Sequence, residues 1–185
     1  MNSMKSLRNL GSYPAAVPIA ADDILEFHAA RLLLLFRLCG TKDRIEGLTK
    51  MAKLDFFVRY PQFFERVSAH LRKESVSRPR TVESSMVRHH YGPWDKRYYH
   101  VLAYLEGKGL ITVTKRGPAF VFELTPLGKQ TADAMKEKEV FRALAAQMKS
   151  VKKALGPMSG TALKNIIYQV FDKEVAGKEL GEVIV

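Results

Sequence analysis

Apolar residues recur along this chain first at a helical period, then at a strand period, then at a helical period again. Ile24, Leu25, Phe27, Leu32, Leu35, Phe36 and Leu38 leave few polar sides. That pattern predicts a helix buried around most of its circumference, running to about Cys39 and stopped by Gly40. Asp22 and Asp23 stand where an N-cap and a negative first turn belong. Ile45, Leu48, Ala52 and Phe56 are spaced 3, 4 and 4, which predicts a second helix from near Thr41 to Tyr60. Asp55 and Arg59 then form an i,i+4 pair worth a few tenths of a kcal/mol. Pro61 breaks that helix and opens another, with Phe63, Phe64, Val67 and Leu71 facing inward.

The second half changes period. "YGPWD" predicts a helix over about Pro93–Lys108, with Pro93 at its first position and Asp95 complementing its dipole. Trp94, Tyr98, Val101, Leu102 and Leu105 line its apolar face, and Gly107 and Gly109 end it. Two strands follow, Leu110–Lys115 and Ala119–Leu124, around the turn "KRGP". Thr125-Pro126 reads as an N-cap with proline at N1, launching a long helix. Phe141, Leu144, Met148, Val151 and Leu155 are spaced 3, 4, 3 and 4, a seam for antiparallel packing or a partner helix. After Gly156-Pro157, Ser159 and Thr161 can cap a last helix carrying Leu163, Ile166, Ile167, Val170 and Phe171. The fold expected is mainly α with a small β-hairpin wing: a winged helix-turn-helix core with additional N- and C-terminal helices. Its parts are an arm over 1–21, a helical region over 22–74, the winged core over 75–136 and C-terminal helices over 137–185.

Composition narrows the chemistry. The net charge is +11 and the pI about 9.8, which favours polyanionic partners. From Arg66 to Arg97 eight lysines and arginines face three acids. Part of that stretch, "RKESVSRPRTVESS", is polar and reads as the most mobile internal segment or an interface loop. One cysteine excludes an internal disulfide, and the absence of a secretory pattern points to the cytoplasm. "AARLLLLFRLCG" carries two arginines and is too short for a membrane span. No phosphate-binding loop, G-x-S-x-G or H-E-x-x-H occurs, and the five histidines lack carboxylates or thiols beside them. No catalytic residue, metal or cofactor is expected.

The predicted wing admits two readings. As a DNA reader, Lys96 and Arg97 would meet the groove, Lys115 and Arg116 at the hairpin tip would meet phosphates, and Arg78, Arg80 and Arg88 would extend the track. The start of the helix lacks Asn and Gln for reading adenine and is instead aromatic, which suits a protein interface. Tyr99, off the apolar face, and the seam of Phe141, Leu144, Met148 and Val151 are the candidate protein contacts.

Three blocks carry a resemblance. "KDRIEGLTKMAKLDFFVRYP" at 42–61, "VRHHYGPWDKRYYHVLAYLEGKGLI" at 87–111 and "GTALKNIIYQVFDKEVAGKELGEVI" at 160–184 resemble the small middle component of ABC-three-component systems, of which Lamassu defence systems are members. The resemblance implies a non-catalytic winged-helix subunit of an SMC-like complex active against phages and plasmids. Its partners would be the SMC-like ATPase and a nuclease-type effector, with DNA bound independently of sequence within the assembly. The competing reading is a winged-helix transcriptional regulator acting as a homodimer.

Overall fold

The computed structural model describes residues 24–73 and 85–184. The predicted arm, Asp22 and Asp23 lie outside the described residues. The chain is mainly helical with two small antiparallel sheets. Helix α1 (Leu25–Cys39) leads to strand β1 (Arg44–Glu46), then to helices α2 (Leu48–Arg59) and α3 (Pro61–His70). The hairpin β2 (Val87–His89) and β3 (Gly92–Trp94) precedes helix α4 (Tyr98–Gly107). A second hairpin, β4 (Ile111–Arg116) and β5 (Ala119–Leu124), is followed by α5 (Pro126–Lys136), α6 (Arg142–Leu155) and α7 (Gly160–Val170).

Helix α1 is the axis of the core. Leu32 to Phe36 are all buried, so the helix has no exposed side there; α2, α4, α5, α6 and the sheet pack around it. The Phe36 and Phe122 rings stack at 5.9 Å, which joins α1 to the sheet. That sheet has the order β1-β5-β4: Ile45 faces Phe122 across one ladder and Val113 faces it across the other.

Local signals account for most boundaries. The Thr125 hydroxyl accepts from the Gly128 amide at 3.0 Å, with Pro126 at the first helical position. The Ser159 hydroxyl accepts from the Ala162 amide at 3.1 Å and opens α7. Gly128 has a further role: a Cβ built there would stand 1.9 Å from the Leu110 carbonyl oxygen. Only glycine lets α5 start against the backbone that joins α4 to β4.

Four expectations need correction. The second helix does not begin near Thr41; Arg44–Glu46 is a strand paired with β5, and Ile45 is buried from that strand. Its apolar spacing toward Leu48 fits a helix, but sheet pairing decides its conformation. Pro93 and Trp94 belong to β3, and α4 starts only at Tyr98. Pro93 has no amide to donate, which an edge of a short hairpin tolerates. The helix after Thr125 is broken: α5 ends at Lys136, and a 3-10 turn over Glu139–Phe141 reorients the chain into α6. The seam on α6 closes on its own chain. Met148 and Val151 are fully buried, Phe141 and Leu144 are half-buried, and the helix packs on α1, α2 and α3.

The fourth correction concerns Asp55 and Arg59, which are fully buried members of a larger network. Arg31 donates to both Asp55 oxygens at 2.9 and 3.3 Å, and the Tyr98 hydroxyl donates to Asp55 at 2.8 Å. Arg59 donates to Asp95 at 2.8 Å, and Arg97 grips the same carboxylate through its Nε and Nη2, each at 2.8 Å. His28 has a ring nitrogen 3.0 Å from Arg31 and the other 3.0 Å from Arg97, which links the two halves. Removing one partner strands buried charge. Asp55→Ala is expected to cost about 3–5 kcal/mol. Breaking the two part-exposed pairs of Arg37, with Asp43 and Asp133, by Arg37→Ala should cost about 1–2 kcal/mol at most. Urea unfolding of both variants measures the contrast; equal costs would contradict it.

Candidate nucleic-acid and protein interface

Tyr99 stands 62 % exposed on the first turn of α4, between two cavities that it helps to line. On one side is a groove of about 240 Å³ between α4 and the β4–β5 hairpin. Leu102, Ala103, Val113 and Phe120 give it an apolar lining, Leu48 of α2 contributes from below, and Glu106 is its charged residue. Glu106 accepts from the Val113 amide at 3.1 Å, so one amide of strand β4 is held by the helix. Phe120 is part-exposed beside this groove rather than packed with Phe122 and Leu124 in the core.

On the other side is a cavity of about 290 Å³ framed by the β2–β3 hairpin, the start of α4 and the C-terminal turn. Arg88, His89, His90 and Lys96 supply its polar lining, Trp94 and Tyr99 its aromatic walls. The Trp94 ring stacks on His89 at 5.2 Å with 29° between planes, and lies 5.7 Å from the Tyr99 ring. Burial, with the positive charges of His90 and Lys53 nearby, lowers the His89 pKa. The buried Nε of Arg88 has no hydrogen-bond partner among the described residues.

The framing hairpin is held from two directions. Beneath it, the buried Lys53 ammonium donates to the Pro93 carbonyl at 2.7 Å. Gly92, at φ 94°, takes the left-handed turn conformation directly over this lysine, where an added Cβ would stand 3.4 Å from Lys53 Cε. Along its edge the chain end adds a third strand-like segment: Arg88 donates to Glu182 and accepts from Gly181, each at 2.8 Å, and Ile184 donates to Met86 at 2.8 Å. The Tyr168 hydroxyl of α7 donates to the His90 carbonyl at 3.3 Å.

The predicted nucleic-acid residues fall into separate groups. Arg88 and Lys96 line one cavity, and Lys115 and Arg116 are exposed at the β4–β5 tip, where Gly117 at φ 60° makes the turn. Arg97 is drawn instead into the Asp95–His28 network, so its guanidinium is committed to structure. Arg78 and Arg80 lie outside the described residues. Of the predicted protein contacts, Tyr99 is at the surface, whereas the α6 seam is internal. The apolar groove was missed because Val113 between Thr112 and Thr114, and Phe120 in the apolar run 119–122, mark strands but not what covers them.

Burial pushes the Cys39 thiol up to about 12, and its Sγ–H donates to the Met148 carbonyl at 3.3 Å. Among the described residues no group of three or more His, Cys, Asp or Glu side chains is placed to hold a metal ion. No helix among them is long and apolar enough to cross a membrane. No family model, curated protein or solved structure matches the chain.

Lys53 gives the site a measurable pH signature. Burial lowers its pKa from 10.5 to about 7. Between those values the unfolded chain binds the proton more strongly than the folded one, so stability rises with pH across that window and is lowest below it. The slope approaches about 1.4 kcal/mol per pH unit. Lys53→Met should abolish this rise, seen as urea midpoints that no longer climb between about pH 7 and pH 9. Asp95 acts at the other end: burial alone would raise its carboxyl, but bonds from Arg97 and the charge of Arg59 hold it down to about 2. Its stabilisation is present above its ordinary 3.8 and is lost as pH falls toward 2.

Proposed function

We propose that the chain is a winged-helix accessory subunit of an SMC-like ATPase defence complex, of the ABC-three-component and Lamassu type, that joins the ATPase to a nuclease-type effector and adds basic surface for DNA. The order α1–β1–α2–α4–β4–β5, with β5 between β1 and β4, is the connectivity a winged helix requires. Helix α3 and the β2–β3 hairpin are then an insertion between the second and third helices of that core. The β4–β5 hairpin is the wing and α4 takes the position of the recognition helix.

The observation that carries the proposal is the character of α4. A DNA-reading helix presents donors and cations to the groove. This one turns Tyr99, Ala103 and Glu106 toward the wing, and together they enclose an apolar groove. Glu106 would repel phosphates there, whereas an aromatic and apolar cleft with one fixed acid suits a protein segment. The same observation disfavours the homodimeric regulator, which needs that face for bases. The cations lie beside the groove, at Lys96 and at the wing tip, where they can meet a nucleic-acid backbone in an assembly.

Co-expression with neighbouring open reading frames, pull-down and gel filtration test the assembly. The expected outcome is a stable complex with an ATPase-like partner, weakened by Ala103→Arg, which fills the groove. Recovery only as a free homodimer that binds one duplex sequence tightly would support the regulator instead. DNA binding by the complex should be indifferent to sequence and fall with salt, with a log–log slope of roughly −0.9 per phosphate neutralised.

A further inference from the structure

We propose that the cavity between the β2–β3 hairpin, the start of α4 and the C-terminal turn binds one unstacked nucleotide of a single-stranded nucleic acid. The inference deepens the nucleic-acid contact proposed above and rests on that reading.

Three independent features converge on this ligand. The first is the pair of aromatic walls. Trp94 is already backed by His89 in a stacked arrangement, and Tyr99 stands exposed 5.7 Å from Trp94. Aromatic faces on an open cavity are the platform on which single-stranded bases stack, whatever their identity. The second is charge. Arg88, His90 and Lys96 line the cavity, and no carboxylate does so among the described residues. The third is size. About 290 Å³ lies at the lower end of ligand pockets and has room for a ring and its phosphate rather than a longer ligand.

A duplex does not meet these conditions, because its bases are stacked on one another and offer only edges and phosphates. An acidic peptide satisfies the cations but leaves the rings without a flat partner. The cavity is also preformed: Lys53 holds the hairpin from below, and residues 181–184 hold its edge. Little ordering is needed when the nucleotide enters.

Trp94 is the single tryptophan of the chain, so its emission reports on this cavity alone. The full chain is titrated with a short oligothymidylate, with a duplex of equal length, with an abasic oligonucleotide and with poly-glutamate. Saturable quenching by the oligothymidylate is expected, with the other three binding about tenfold more weakly and without the quench. Tyr99→Ala removes an exposed ring, so the fold persists, and it should weaken oligothymidylate binding about tenfold. Lys96→Ala, also at an exposed position, should weaken it and lower the salt slope by about 0.7 while leaving maximal quenching intact. Absence of saturable quenching, equal binding of the duplex or of poly-glutamate, or an unchanged Tyr99→Ala titration overturns the proposal. The titration uses the isolated chain, so its failure is separable from failure of the pull-down, which probes the groove on the other side of Tyr99.

Discussion

Two buried carboxylates, Asp55 and Asp95, decide how the helices of this chain meet. Hydrophobic burial draws α1, α2 and α4 together but has no direction of its own. Arg31 on α1 and Tyr98 on α4 must both reach Asp55 on α2, and Arg59 on α2 must reach Asp95 beside α4. These bonds are satisfied in one register of the three helices. Any sliding of one helix past another leaves a charge in the core without its partner, at a cost far above that of a misplaced methyl group. Arg97 and Tyr98, which hold α4 to the network, immediately precede Tyr99. The exposed ring is therefore placed by the two residues before it, the buried Tyr98 and the half-buried Arg97.

Much of this architecture was legible in the residues. The burial of α1 followed from five consecutive apolar side chains between its arginines. Thr125-Pro126 and Ser159 announced their helices because a cap is a local interaction, complete within four residues. The β4–β5 hairpin was visible for the same reason, through its alternation and Gly117. Long-range interactions were not visible. Ile45 carries no sign that its strand will pair with a segment almost 80 residues later. Asp55 and Arg59, four apart, had a sufficient local explanation as a helical pair, and nothing nearby showed that Arg31 and Asp95 would claim them. The α6 seam illustrates the limit from the other side. A heptad-like stripe states that a face will be covered, and the coverer turned out to be the chain's own α1, α2 and α3.

The candidate surfaces share this division. Lys115 and Arg116 could be named from a turn motif, and Lys96 and Tyr99 from a helix start. That Tyr99 separates an apolar groove from a basic aromatic cavity depended on the β2–β3 hairpin, which brings Arg88 and Trp94 to the front of α4. Under the proposed function, protein and nucleic acid would lie on adjoining faces of one helix, and a change at Tyr99 would be felt by both.

Gly128 sets a last condition on those faces. With the Leu110 carbonyl against its Cα, and the Thr125 hydroxyl also reaching the Gly109 carbonyl at 2.7 Å, the root of the β4–β5 hairpin is clamped to the end of α4. The hairpin cannot swing outward to widen the cleft in front of it without tearing these contacts. Under the proposed function, a partner meets there a socket of set width, and is selected by matching that shape rather than by remoulding it.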